Sequence, residues 1–262
     1  MQPGPLREAA AILAANRRAG GRLTELPPSC RPRDQAEAYQ LQDELHALLQ
    51  AARASIFTTH KIGCTTPVMQ AYLGIDRPCA GGILAADVHP LHARVVGPAA
   101  TRLGVECELA VRLGSDLADG PFEPGRAGLA VATLMSAIEI VEDRYVDYRT
   151  LDTPTLIADD FFSFGCILGP AVESWRELDL AEIAGVMRIN RREVGRGVGA
   201  DILGHPFAAL AWLAALKAVR GEPLQAGSCV LLGSLVQTVW LTPGDRVEVE
   251  IEGLGSASLA LA

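Results

Sequence analysis

The sequence predicts an α+β protein whose strands curl around a buried helix, with a helical part at the N-terminus. Three observations carry that expectation. Residues 5–20 and 34–52 have helical spacing and helical punctuation. The run Phe207-Ala208-Ala209-Leu210-Ala211-Trp212-Leu213-Ala214-Ala215-Leu216 is apolar nearly all round, so it belongs inside the protein rather than on its surface. Runs of β-branched residues separated by Gly, Pro and Asp turns fill most of the remainder, and a sheet that follows a buried helix is expected to curl around it. We therefore expect a helical region over residues 1–54 and a β-roll over residues 55–262, packed as one compact unit.

At 262 residues the chain is long enough for a substantial core, and 49% hydrophobic with 21% charged residues is ordinary for a globular protein. A net charge of -8 lacks the basic footprint that nucleic acids and acidic membranes require, so a small-molecule partner is expected. No run reads as a membrane span, and residues 1–13 lack the basic start and continuous apolar segment of a secretory signal; the expected location is the cytoplasm. The six cysteines are scattered without a CxxC pair, which points to reduced packing thiols rather than a zinc knuckle or a disulfide framework.

The first helix, residues 5–20, ends at Gly20-Gly21, and Pro27-Pro28 follows in a connection. In the second, Asp34 is placed to cap with Glu37 three residues later, and Ala38, Leu41, Leu45, Leu48 and Leu49 recur at helical spacing. A strand over residues 55–62 leads into His60-Lys61-Ile62-Gly63, leaving Lys61 either solvated or beside a loop at a strand end. A short helix fits residues 67–73 and is closed by Gly74, after which residues 74–82 read as loop. A strand around Glu106 precedes a Gly/Pro/Asp loop over residues 114–128, and a second acid-bearing strand surrounds Glu139. Asp159-Asp160 stands directly before Phe161-Phe162-Ser163-Phe164, either as the capped start of a helix with its rings in the core or as a pocket wall. Strands over residues 166–172 and 185–195 follow, the latter turning at Asn190-Arg191-Arg192-Glu193, while Gly195, Gly197 and Gly199 lack the setting of a phosphate loop. His205-Pro206 opens the apolar helix, Gly221 stops it, and strands over residues 228–232, 236–241, 246–251 and 256–261 complete the chain.

Glu106 and Glu108 lie two apart inside an apolar run, so strand alternation puts Val105, Cys107, Leu109 and Val111 on one side and Glu106, Glu108 and Ala110 on the other. Like charges on one wall resist joint ionisation unless a cation, a shared proton or open water relieves them. Glu139 interrupts a β-branched run in the same way. Three carboxylates with apolar neighbours suit a hard divalent cation, Mg²⁺ or Mn²⁺, or Ca²⁺ in a roomier site. An edge strand with Glu-x-Glu facing solvent gives the same pattern without a metal.

A longer ordered set spans nearly the whole chain: Glu37-Ala38-Tyr39-Gln40-Leu41-Gln42, Lys61-Ile62-Gly63-Cys64-Thr65, Val105-Glu106-Cys107-Glu108-Leu109-Ala110, Glu139-Ile140 and Ile157-Ala158-Asp159. It continues with Leu203-Gly204-His205-Pro206, Ala211-Trp212-Leu213-Ala214, Gly233-Ser234-Leu235 and Pro243-Gly244-Asp245. In this set the chain resembles the fumarylacetoacetate hydrolase superfamily, and within it the 2-hydroxypenta-2,4-dienoate (2-keto-4-pentenoate) hydratases and 4-oxalocrotonate decarboxylases. The resemblance implies mixed β-sheets rolled around a helix, Glu106, Glu108 and Glu139 as ligands of Mg²⁺ or Mn²⁺, and Lys61 in the active site. The metal would hold the carboxylate and 2-oxo oxygen of a 2-oxo acid, and Lys61 would stabilise enolate charge or relay a proton, for which desolvation would lower its pKa while the nearby carboxylates pull the other way. Substrate contacts are expected from Cys79, Ile83, Leu84, Asp159, Phe162, Ser163, Gly233 and Ser234.

The chain departs from the pattern of the family in two places. Cys79-Ala80 stands where an acid and an aromatic are usual, and Asp160-Phe161-Phe162 replaces Asn, a small residue and Ser. The implied function is a metal-dependent, hydratase-like lyase acting on an unsaturated 2-oxo acid or 2-hydroxydienoate with a larger or more apolar tail. The alternatives are decarboxylation through the same enolate, carbon-carbon hydrolysis with His46 or His60 as base, and a non-catalytic scaffold partner. Self-association, and association with an enzyme of the same pathway, are also implied.

Overall fold

The computed structural model describes residues 1–262, Tyr72 by its backbone alone. Helices α1 (Pro3–Ala19) and α2 (Gln35–Arg53) form the N-terminal part. Strand β1 (Phe57–Gly63), helix α3 (Pro67–Leu73) and strands β2 (Cys79–Leu84), β3 (Val88–His89), β4 (His92–Val95) and β5 (Arg102–Leu113) follow. Next come α4 (Pro124–Leu129), β6 (Val131–Asp143), α5 (Thr153–Ala158), β7 (Ser163–Leu168), β8 (Ala184–Ile189) and β9 (Arg192–Val198). The last elements are α6 (Pro206–Val219), β10 (Cys229–Trp240), β11 (Arg246–Ile251) and β12 (Gly255–Leu261).

Local chemistry sets many of these boundaries. The Asp34 carboxylate accepts the Glu37 amide at 2.9 Å, satisfying a free donor at the start of α2. At α6, Pro206 occupies the first turn and His205 Nδ1 accepts the Phe207 amide at 3.0 Å. The β8–β9 hairpin turns on Asn190 and Arg191, both left-handed at φ 52° and 71°.

The strands form a seven-stranded sheet, β2-β1-β10-β5-β6-β7-β3, and a five-stranded sheet, β4-β12-β11-β8-β9. Both are mixed: β1 runs parallel to β10, β3 to β7 and β12 to β4, while the other pairs are antiparallel. The main core lies between the sheets. Val105, Cys107, Leu109 and Val111 of β5, with Ile138 and Ile140 of β6, join Val247, Val249, Ala257 and Leu259 of the smaller sheet in one buried cluster. Helix α6 enters this core through Phe207, Ala209, Leu210, Leu213 and Ala214, and packs against α4 and β10. It opens to solvent at its C-terminal end, where Val219 is 89% exposed. The segment Gly199–Val219 is, contrary to expectation, long and apolar enough by length and composition to cross a membrane; in this fold its larger part is α6, a partly buried core helix.

Several expectations are corrected. Residues 79–82 are not loop but part of β2, paired with β1 and buried throughout, so its small residues carry no in-out alternation. The expected loop over 114–128 contains most of α4. Asp159 and Asp160 lie at a junction: Asp152 caps α5, accepting the Thr155 amide at 2.7 Å, Asp159 sits at its C-terminal cap, and a short 3-10 turn over Asp160–Phe162 follows with no side-chain cap from Asp159 and with the Phe161 ring in the core. Gly233-Ser234 does not divide two strands, because β10 runs through it with a shifted register against β5. Gly195 and Gly197 belong to β9, where a Cβ would run into Val236 and the Leu235 backbone.

Leu109 is fully buried in the main core, so Leu109→Ala is expected to destabilise by about 2–5 kcal/mol in urea unfolding. Val219→Ala, at a position 89% exposed, should stay within about 0.5 kcal/mol of wild type.

Candidate active site

The long antiparallel pairing of β5 and β6 sets Glu106 directly opposite Glu139, and Glu108 follows on the same face two residues on. Ala110 and Ala137 continue that face into a second buried cluster with Ile83, Met135, Cys166, Cys229 and Leu231. Lys61 is registered against Leu231 on one side and Gly81 on the other, which turns its side chain to the same face. One oxygen from each of Glu106, Glu108 and Glu139 lies within 4.8 Å of the others, a spacing that can hold a metal ion. Lys61 Nζ stands 3.2 Å from Glu139 Oε1 and donates to the Phe161 carbonyl at 3.2 Å.

This cluster is short of positive charge. Burial, then the neighbouring Glu139 charge, push the Glu106 carboxyl up to about 7. Burial, with Glu139 and Glu106 beside it, raises Glu108 well above the ordinary carboxylate range. Burial alone would lower Lys61, but Glu139, Glu106 and Glu108 together outweigh it and raise the pKa. Of the two opposing influences that the sequence names at Lys61, the carboxylates therefore prevail over desolvation.

The neutral donors are few. The Thr238 hydroxyl donates to Glu106 and the Gly233 amide to Glu108 Oε2 at 3.1 Å. Glu139 Oε1 is buried without a well-directed hydrogen bond, despite its distance to Lys61. One ammonium facing three carboxylates, Glu108 and Glu139 buried and Glu106 half-buried, all oxygen donors, is a set that a hard divalent cation fits.

Two glycines permit this geometry. Gly233 has φ 125°, and a Cβ there would overlap the Thr65 side chain, so glycine alone lets the backbone turn its amide toward Glu108. Gly81 separates Lys61 from Asp160, with a Cβ position 3.1 Å from both Lys61 Cε and Asp160 Cβ.

The expected substrate contacts are distributed unevenly. Gly233 meets Glu108, and Ile83 lies in the buried cluster that continues the carboxylate face. Leu84 belongs instead to the main core, on the opposite side of β2. Cys79 is buried against Cys64; a hydrogen bond between the thiols and then burial push it well above the ordinary thiol range, so it is no substitute for an acid. Asp159 accepts Arg17 Nε at 2.8 Å and the Tyr145 hydroxyl at 2.9 Å. The Ser163 carbonyl accepts from Arg144, and the Ser234 hydroxyl donates to the Val236 carbonyl. Phe162 meets Tyr148 edge-on at 5.5 Å, and Tyr148 stands 6.4 Å from Trp240, two residues beyond Thr238 on β10.

Neither histidine named as a base reaches the carboxylates. His60 adjoins Lys61 in a strand and so faces the other way, with burial lowering its pKa to about 3. His46 Nε2 lies 2.8 Å from Asp160 and its ring stacks on Phe57. Sequence reading missed Thr238, the Phe161 carbonyl and Arg17. Simple alternation does not find Thr238, because Val236 lies in the main core and β10 shifts register between Val236 and Val239; no local signal marks the other two.

The family model for the fumarylacetoacetate (FAA) hydrolase C-terminal region matches residues 83–261. The chain belongs to the fumarylacetoacetate hydrolase family. Among relatives in that family, 2-keto-4-pentenoate hydratase 1 of Dechloromonas aromatica (strain RCB) is 35% identical over 257 residues, covering 97% of this chain and 96% of the relative. A 4-oxalocrotonate decarboxylase of Pseudomonas putida is 30% identical over 223 residues, covering 85% and 84%. The solved 4-oxalocrotonate decarboxylase from Pseudomonas putida G7, complexed with magnesium and adipate, superposes with a TM-score of 0.93 at 26% identity, covering 100% of this chain and 99% of the other. The family fold of curled mixed sheets with a helical N-terminus is thus present throughout.

Asp160 contrasts with the glutamates. Burial would raise its pKa, but His46, Arg17 and the Gly82 amide hold it well below the ordinary range. A depressed folded value stabilises the fold above the unfolded pKa of about 3.9, and that contribution is lost as pH falls through the folded value. In this fumarylacetoacetate hydrolase family member, Asp160→Asn is expected to melt below wild type at pH 7, with the difference shrinking toward pH 2 in a thermal unfolding series.

Proposed function

We propose that this chain is a divalent-metal-dependent lyase that hydrates an unsaturated 2-oxo acid or its 2-hydroxydienoate form. The observation that carries this reading is the Glu106, Glu108 and Glu139 cage with Lys61 on the same buried face. Full-length likeness to a 2-keto-4-pentenoate hydratase supports the substrate class. The cage residues would hold Mg²⁺ or Mn²⁺, and likeness to a decarboxylase complexed with magnesium supports the first of these. When bound, such a cation supplies Lewis acidity toward the carboxylate and 2-oxo oxygens of the substrate and stabilises enolate charge.

The protein groups have distinct tasks in this reading. Lys61 brings a fixed ammonium to the enolate oxygen region, stabilising developing negative charge or passing a proton. The Phe161 carbonyl takes one of its hydrogens and so fixes its direction. The dienol is ketonised by protonation of its distal carbon, and water then adds across the remaining conjugated double bond. Phe161, Phe162, Tyr148 and Trp240 supply apolar surface near Lys61 and Thr238, which suits a tail larger or more apolar than that of the five-carbon dienoate.

Decarboxylation is the second reading, favoured by the 0.93 TM-score to a decarboxylase; it uses the same enolate as electron sink. Loss of dienol absorbance followed with and without CO₂ release separates the two. The tail assignment fails if the five-carbon dienoate turns over at least as well as longer or aryl-substituted analogues. Glu106→Gln is expected to weaken Mg²⁺ binding by more than about tenfold in calorimetry and to abolish turnover. Wild-type affinity in that variant would overturn the metal assignment.

A further inference from the structure

A polar network ties the N-terminal helices to Lys61. It starts at Arg17 near the end of α1, whose Nε donates to Asp159 Oδ1 at 2.8 Å and whose Nη2 donates to Asp160 Oδ2 at 2.9 Å. One guanidinium thus holds two adjacent carboxylates. The other oxygen of Asp160 accepts the Gly82 amide at 3.0 Å and lies 2.8 Å from His46 Nε2. His46 is itself held by its stack on Phe57, with ring centroids 3.7 Å apart. Three elements, α1, α2 and β2, therefore converge on one fully buried side chain.

What they restrain is a backbone that would otherwise relax. Asp160, Phe161 and Phe162 have φ values of 53°, 46° and 68°, three successive non-glycine residues in the left-handed region. Sterics disfavour that region for each of them, and such conformations persist only where the surroundings over-determine them. The product of the turn is the direction of the Phe161 carbonyl, which faces Lys61 and accepts from Nζ at 3.2 Å. Gly81 lets the turn come up against the lysine, and the Phe161 ring centroid stands 5.8 Å from Nζ.

We propose that Arg17 and His46 are positioning residues: acting through Asp160, they hold the left-handed turn that aims the Phe161 carbonyl at Lys61 and so fix the ammonium beside the three carboxylates. The kinetic consequence rests on the role of Lys61 in the proposed reaction. The geometric consequence does not.

The chain has two lysines, Lys61 and Lys217, so protein labelled at lysine Cε and Nζ gives two side-chain signals in NMR, and Lys217→Arg assigns them. Arg17→Lys keeps a positive charge but loses the fork that spans two carboxylates, while His46→Leu removes the second contact and keeps an apolar group against Phe57. In each folded variant, with Mg²⁺ present, the Lys61 signal is expected to shift or broaden and its ammonium hydrogens to exchange faster, the Lys217 signal staying in place. The kcat for the 2-oxo acid is expected to fall about tenfold, equivalent to about 1.4 kcal/mol, with KM within about twofold. A Lys61 signal identical to wild type in the folded variants overturns the proposal. Should wild type turn over no dienoate at all, the reaction assignment falls while the lysine signal still decides the positioning.

Discussion

Three carboxylates clustered on one face of a sheet, two of them fully buried, resist joint ionisation unless positive charge is brought to them, and the register of β5 on β6 creates that demand. Glu106 faces Glu139 across the pair, while the alternate residues of both strands fill the main core. A slip of one residue would drive the glutamates into that core and expose Val105, Cys107, Leu109 and Val111 on the other side. Core and site therefore depend on the same register. The apolar set that stabilises the protein is also what keeps the carboxylates together, at a cost that protonation or a bound cation offsets.

Two kinds of buried acid occur within this small volume, and the supply of donors separates them. Asp160 meets Arg17, His46 and the Gly82 amide, and these outweigh its burial so that it stays ionised. Glu106 and Glu108 have one neutral donor each besides their share of Lys61, and burial prevails. A carboxylate supplied with a guanidinium, an imidazole and an amide acts as a structural pin. An undersupplied one keeps its free energy of interaction for something that arrives later, which is the condition a metal-binding site must meet.

Features with a local cause were legible in the sequence. The facing of β5 followed from strict alternation, the caps of α2 and α6 from single residues, and the α+β class from the change of period along the chain. Features whose cause lies far away were not. The small residues of β2 show no alternation because both faces are covered, and Gly233 looks like a turn although it serves as an irregularity within β10. Arg17 and Asp160 are separated by 143 positions, so nothing near either residue announces the pair. At Lys61 both desolvation and the opposing carboxylates were legible, but not their balance, because the carboxylates come from two other strands.

That long-range dependence bears on how the N-terminal helices relate to the β-roll. An appended helical layer would need only apolar contacts, and α1 and α2 do make them through Ala9, Leu13, Leu41 and Leu45. They also place Arg17, Gln42 and His46 against backbone and carboxylates beside the site; Gln42 alone donates to the carbonyls of Ala80 at 3.0 Å and Ile157 at 2.7 Å. These bonds span β2 and the end of α5, the two segments that flank the turn at Asp160. Buried polar groups placed this way lose their partners together if the helices undock, so leaving is far less favourable than apolar area alone would dictate. The helices are thus held by the same polar groups that surround the turn at Asp160, and that turn takes its hydrogen bonds from both regions of the chain.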